Sequence, residues 1–190
     1  MNNFVINKYL IIEFLKAFLN FVLIFCCLGL ILNLFEEINY FKNYDIGIFT
    51  RQNTLTNIIL PNSLKSIKAT SSENKSAFMV KVRLQLNQYF KGVRKSFDLK
   101  IDLNMSTFFI NTLDEVKKIP YGSTMSYKDI ANNIKSPKGY RAVANANARN
   151  PIPIIIPCHR VIKSNGDFGE YGGGSILKKK LLEFEKDIFF

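Results

Sequence analysis

The sequence predicts an α+β chain. It has a mostly helical C-terminal domain containing a helix-turn-helix, a short mixed α/β stretch before it, and an apolar helix at the N-terminus. Three observations carry this. Residues 9–35 are apolar apart from Glu13, Lys16, Asn20 and Asn33. Beyond Ser106, capping residues, turns and apolar positions three and four apart recur in short blocks. Between these regions, one strand-like run and one helical run flank a polar linker.

The elements follow in order. Residues 17–35 approach the ~20 apolar residues that span a bilayer as a helix. The run is apolar on every face, which favours a membrane span over a buried amphipathic core helix. It also lacks the small-residue cleavage site of a secretory signal. The stretch YLIIEFLKAFLNFVLIFCCLGLILNLFEEINYF, 9–41, resembles the first transmembrane segment of lipopolysaccharide-export permeases, of which only this opening fragment is present. Lys8 and Lys16 precede the span and Glu36 and Glu37 follow it, so the positive-inside rule places residues after 40 outside the cytoplasm.

Residues 55–60 read as a short strand and lead into a Ser/Asn/Lys linker. Residues 79–89 read as an amphipathic helix closed by Lys91 and Gly92, and 97–103 alternate apolar and charged residues as a half-exposed strand does. A helix starts at Ser106 and stops before Pro120, and Tyr121-Gly122 makes a turn. Ser126 caps a short helix over 127–134, in which Tyr127, Ile130 and Ile134 recur at helical spacing. A turn at 136–139 leads to a second helix, 140–149, ended by Asn150-Pro151. Two short helices joined this way form a helix-turn-helix pattern. The alanines and asparagines of the second helix leave a thin surface suited to a nucleic-acid groove, with Arg141 and Arg149 at its ends. A tightly packed core helix is an equally good reading of that composition. A last helix covers 175–186.

Composition sets bounds. The 190 residues are 47% hydrophobic and 13% aromatic, which excludes a disordered tail. A net charge of +11 fits a partner rich in phosphate or anionic lipid, although abundant Ile, Asn and Lys also reflect the base composition of a genome. Three cysteines, two of them adjacent at Cys26 and Cys27, make no disulfide framework, and with one histidine they offer no zinc-ligand set. No metal or cofactor is expected, and a reducing cytosol suits Cys158.

Cys158 and His159 stand side by side in PIPIIIPCHRVI, 151–162. A cysteine attacks as its thiolate, so a neighbouring base must take its proton. Sequence neighbours on an extended strand point to opposite faces, so a relay through one water suits the pair better than direct contact. A carboxylate is needed to orient the imidazole, and Glu183 and Glu185 are the candidates on the last helix. The alternative is a small buried cysteine beside a satisfied core histidine.

Four segments, in order, resemble the O6-alkylguanine-DNA alkyltransferase family: IPYGSTMSY at 119–127, Pro137-Lys138 with Arg141-Ala142-Val143, NPIPIIIPCHRVI at 150–162, and YGGG at 171–174 followed by a Lys-rich, Leu-Leu helix ending at Glu185. QLNQYFKGVRKSFDLKIDL, 85–103, extends the likeness into that family's N-terminal domain. The resemblance implies a winged-helix-like DNA-binding and catalytic domain over 105–190 and a truncated, ribonuclease H-like N-terminal domain over 51–104. Residues 1–45 read as a separate hydrophobic, transmembrane segment, as a gene fusion or a reading frame joined to a decayed neighbour would leave.

The resemblance also implies roles. Cys158 accepts the alkyl group from O6 of guanine, and from O4 of thymine, once and irreversibly. His159 deprotonates the thiol through water, Glu185 holds the imidazole, and Asn150 braces the reactive turn. Tyr127 helps rotate the nucleotide and donates a proton to the purine. Arg141 fills the vacated stack, and Ala142, Ala144, Asn145 and Arg149 face DNA. Pro153, Val161, Tyr171, Gly172 and Gly173 shape the pocket. The implied partner is double-stranded DNA bearing O6-alkylguanine, met by a monomer at the cytoplasmic nucleoid, with inner-membrane attachment through 9–35 if that segment is expressed. Lys178, Lys179 and Lys180 read as a solvated face with scope for phosphate contacts. Ala144, Asn145 and Asn147 depart from the family's usual recognition helix, and 106–116 lacks its basic residue and tryptophan. A lesion-binding module without transfer and an inactive membrane-fused remnant are the alternative readings.

Overall fold

A computed structural model describes residues 18–24, 46–60 and 76–187. The chain divides into two compact units, 1–43 and 44–190. In the first, residues 18–24 are helical. Most of the apolar run 9–35 lies outside the described residues, as does the linker 61–75. Among the described residues no helix is long and apolar enough to cross a membrane.

The second unit opens with an antiparallel hairpin, β1 (Gly47–Arg51) and β2 (Thr54–Ile59). Its two-residue turn holds Gln52 and Asn53 at φ 47° and 58°, the left-handed pair that matches the twist of a hairpin. Sequence reading found β2 but not β1, whose residues carry no alternation. Leu55 and Ile58 are buried, and Leu55 exchanges backbone bonds with the segment after the next helix: its N–H donates to Lys100 O at 2.9 Å and its carbonyl accepts from Asp102 N at 3.0 Å.

That contact corrects the expected strand over 97–103. Exposure alternates there as predicted, but only Ile101 forms a bridge, and no ladder extends beyond it. A buried glutamine takes the place of a second strand. Gln85 Nε2 donates to Asp98 O at 3.1 Å, and Gln85 Oε1 accepts from Asp98 N at 2.9 Å. Gln85 lies on α1 (Ala77–Phe90), which starts at Ser76, whose hydroxyl accepts from Met79 N, and buries Val82, Gln85, Leu86 and Tyr89.

The helical part follows the sequence closely. α2 (Thr107–Lys117) buries Thr112, Leu113 and Val116, although Ser106 makes no side-chain cap. α3 (Tyr127–Asn133) starts with a reciprocal box in which Ser126 Oγ accepts from Asp129 N and the Asp129 carboxylate accepts from Ser126 N. In the tight turn to α4 (Tyr140–Ala148), Gly139 leaves room for Ser136: a Cβ there would stand 2.4 Å from Ser136 Oγ and 3.0 Å from its carbonyl oxygen, so Ser136 would have to shift. β3 (Met125–Ser126) pairs in parallel with β4 (Val161–Ile162), which tethers the start of the helix-turn-helix to the chain just after Cys158. α5 (Ser175–Asp187) closes the unit.

Candidate active site

The segment between α4 and β4 has three prolines, so it lacks the N–H groups needed to join a sheet. The side chain of Asn150 substitutes for them. Its Nδ2 donates to Ile156 O at 2.8 Å and its Oδ1 accepts from Ile152 N at 3.0 Å, closing the loop on itself. The loop forces Ile154 to φ 75°, a conformation that costs a β-branched residue about 1–3 kcal/mol. Burial of that side chain offsets the strain. From α4, Asn147 Nδ2 donates to Cys158 O at 3.3 Å. The chain then enters a 3₁₀ turn, Cys158–Arg160.

This turn separates the two reactive side chains. Cys158 borders a cavity of about 290 Å³. His159 points into the interior, fully buried, with Nε2 2.9 Å from Glu185 Oε1. Of the two candidate carboxylates the structure therefore brings Glu185 to the imidazole, while Glu183 faces outward, 3.6 Å from Lys179 Nζ.

Glu185 is surrounded by donors. Besides His159, its Oε1 accepts from Tyr89 Oη at 2.6 Å and Arg160 Nη2 at 2.9 Å. Its Oε2 accepts from Arg160 Nε at 2.8 Å and Gly122 N at 3.1 Å. Arg160 Nη1 continues to Ile119 O at 2.7 Å. Burial opposes the carboxylate charge, but the hydrogen bonds and charges of His159 and Arg160 outweigh it and hold Glu185 well below the usual carboxylate range. Burial lowers the affinity of His159 for a proton, and Arg160 and Lys178 add to that, against the pull of Glu185. The resting arrangement is an ionised Glu185 and a neutral imidazole donating through Nε2. Among the described residues His159 Nδ1 has no hydrogen-bond partner, so its lone pair is the one available to a proton.

The thiol is protonated at rest as well. Burial pushes Cys158 up to about 11, against the lowering effects of Asn150 and Lys178. Near neutrality the sulfur therefore needs a proton acceptor before it can act as a nucleophile. Lys178 is fully buried, with Nζ donating to Val161 O and Phe168 O, and burial brings it down to about 8. This corrects the reading of 178–180 as a uniformly solvated run: Lys178 faces inward, beside Cys158.

The cavity brings Asn150, Pro153, Tyr171 and Gly172 to Cys158, and Asn147, Ala148 and Glu170 also line it. Val161 and Gly173 are outside the lining. Val161 is a core residue paired with Met125, and Gly173 packs beneath Tyr171, where a Cβ would stand 2.5 Å from Leu177 Cδ2 and 2.9 Å from Leu60 Cδ1. Sequence reading missed the hairpin wall formed by Ile58, Ile59 and Leu60. It also missed Arg160 and Tyr89. An arginine inside an apolar run is a recognisable signal of a buried ion pair, since it must find a partner; Tyr89 carries no comparable one.

Tyr127 is half-buried on the first turn of α3, and burial raises its hydroxyl above the ordinary tyrosine value. α4 is two-faced. Val143, Ala146 and Asn147 are buried, Ala144 is intermediate, and Arg141, Ala142, Asn145, Ala148 and Arg149 are exposed. Arg149 lies over the ring of Phe109, and Arg141 over that of Tyr140, each 5.9 Å from the centroid.

Together these features define a class: a helix-turn-helix domain with a cysteine on a cavity and a buried imidazole–carboxylate pair next to it in the chain. Residues 107–187 match the family described as 6-O-methylguanine DNA methyltransferase, DNA binding domain. A methylated-DNA--protein-cysteine methyltransferase of Methanosarcina barkeri is 46% identical over 121 residues, covering 64% of this chain and 76% of that protein. The crystal structure of Mycobacterium tuberculosis O6-methylguanine methyltransferase matches with a TM-score of 0.66 and 39% identity, over 74% of this chain and 86% of that one. The M. tuberculosis protein in complex with DNA matches with a TM-score of 0.65 and 35% identity, over 76% and 92% of the two chains. This chain belongs to the methylated-DNA--protein-cysteine methyltransferase family.

Proposed function

We propose that this chain repairs double-stranded DNA by moving the alkyl group of O6-alkylguanine, and of O4-alkylthymine, onto Cys158 in a single irreversible event. The observation that carries this reading is the placement of the Cys158 thiol at a cavity with His159 and Glu185 behind it. Cys158 Sγ attacks the alkyl carbon, the S–C bond forms as the C–O6 bond breaks, and the thiol proton passes through one water to His159 Nδ1. The purine leaves with the O6 electron pair and takes up a proton, with Tyr127 as its donor. Glu185 stabilises the imidazolium that forms. The thioether does not reverse, so each molecule acts once.

The reacting carbon is inaccessible inside a duplex, so the nucleotide must be turned outward at a cost of a few kcal/mol. The exposed face of α4 suits a minor groove, where little sequence is read, and Arg141 would fill the gap. In this reading 105–190 is the DNA-binding and catalytic domain and 51–104 a shortened N-terminal domain. Action as a cytoplasmic monomer, and attachment to a membrane through 9–35, are parts of the proposal that cell fractionation and sedimentation test.

The decisive experiment incubates the protein with a duplex carrying one O6-methylguanine and weighs the intact chain. A gain of one CH₂ on the Cys158 peptide, absent in Cys158→Ser, is expected. Tight retention of the lesion with Cys158 unmodified would instead establish a binding module without transfer.

A further inference from the structure

Tyr89 lies on α1, outside the region matched by the family. It sits 96 residues from Glu185 in sequence, yet its hydroxyl makes a short bond in the catalytic cluster. We propose that Tyr89 is a positioning residue for the transfer: its hydroxyl shares Glu185 Oε1 with His159 Nε2 and so sets how strongly the carboxylate holds the imidazole. The inference rests on the alkyl-transfer reading above and assigns that site a control element from outside its own domain.

The geometry carries the point. Two lone pairs of Oε1 meet three donors, from Tyr89, His159 and Arg160, all buried. A carboxylate oxygen shared by several donors gives less electron density to each, so removing one strengthens the hold on the others. Burial and the negative charge of Glu185 push the Tyr89 hydroxyl far above its ordinary value, which keeps it a neutral donor across the working range. The groups that face this cluster are Tyr121 from the loop before β3, His159 and Arg160 from the 3₁₀ turn, and Glu185 and Lys178 from α5. Among them Tyr89 is a neutral donor whose removal changes no formal charge.

The sign of the effect follows. Without the Tyr89 hydroxyl, Oε1 competes more strongly for His159 and favours the imidazolium. His159 then titrates at higher pH, and less neutral base is present to accept the thiol proton. The ring itself packs on Phe97, Tyr121 and Phe184 with centroids 5.6–6.1 Å apart, and phenylalanine preserves that packing.

His159 is the only histidine in the chain, so its ring nitrogens give a unique NMR signal. In Tyr89→Phe we expect the His159 midpoint and the acid limb of the single-turnover rate to move up together. Transfer from O6-methylguanine DNA should slow by up to roughly tenfold on that acid limb, below both midpoints, and little above neutrality, with unchanged DNA affinity. Replacing Tyr89 by 3,5-difluorotyrosine, a stronger donor of the same shape, should move the midpoint the opposite way, and it decides the matter if the phenylalanine variant folds poorly. The inference is overturned if neither replacement moves the His159 midpoint, even when the rate falls, because that outcome describes a core residue only. A wild-type chain that never gains a methyl group would refute the transfer reading instead, while the His159 titration would still report on Tyr89.

Discussion

The carboxylate cluster and the outer face of α4 solve opposite problems. Around Glu185, five hydrogen bonds from three separate parts of the chain fix one fully buried side chain. On α4, small and short side chains at Ala142, Asn145 and Ala148 fix nothing and leave room for a partner. In the proposed transfer, catalytic geometry comes from excess constraint, whereas binding geometry comes from the absence of bulk. Changes in the first region should therefore affect stability and chemistry together, and changes in the second should affect only encounters with DNA.

The largest effect expected is the loss of methyl uptake in Cys158→Ser, read by intact mass after exposure to alkylated duplex. Glu185→Gln comes next. It leaves buried Arg160 without its counter-charge, and breaking a buried pair this way costs about 3–5 kcal/mol. A urea midpoint that hardly moves would show that the cluster is not under the constraint described.

A pH series tests the thiol at the border of the two regions. Cys158 is held at about 11 against an ordinary 9, so the folded chain keeps a proton that the unfolded chain loses. That contribution to stability is complete below pH 9 and is lost as pH climbs from 9 towards 11, a fall of at most roughly 2–3 kcal/mol. Alkylation of Cys158 by iodoacetamide without DNA should accelerate across the same interval. A plateau near neutrality would refute the protonated resting state.

Arg141→Ala should slow repair of duplex DNA by roughly 10- to 100-fold, since an inserted side chain offsets part of the cost of base eversion. The same variant should leave its urea midpoint and its iodoacetamide reactivity unchanged, which separates the two regions directly. The smallest effect belongs to Lys179→Ala. Its exposed pair with Glu183, on the same helix as the buried Glu185, should change stability by less than about 0.5 kcal/mol.

What the sequence made legible was local. Ser126 with Asp129, Gly139, and the stop at Asn150-Pro151 each act within a few residues, so the helix-turn-helix could be drawn from them. Cys158, His159 and Glu185 came from chemistry joined to a family resemblance; the structure pairs His159 with Glu185 and sets Cys158 apart from them on a cavity. What escaped was long-range or hidden by neighbours. Tyr89 and the hairpin wall at Ile58 and Leu60 reach the site from a distance that no periodicity encodes. Lys178 sat unnoticed in a run of three lysines, although its spacing from Leu181 and Glu185 puts it on their inward face. The stretch 97–103 was read correctly as one-sided and wrongly as a strand, because alternation reports burial and says nothing about whether a partner strand exists.

Because the donors to Glu185 arrive from α1, the turn at Gly122 and the 3₁₀ segment, the imidazole–carboxylate pair on which the proposed transfer relies exists only when all three are docked. A thiol survives denaturation, but this relay is made by folding. On heating, methyl-accepting capacity should vanish along the same curve as the tertiary structure, leaving no range of temperature in which a loosened chain still works.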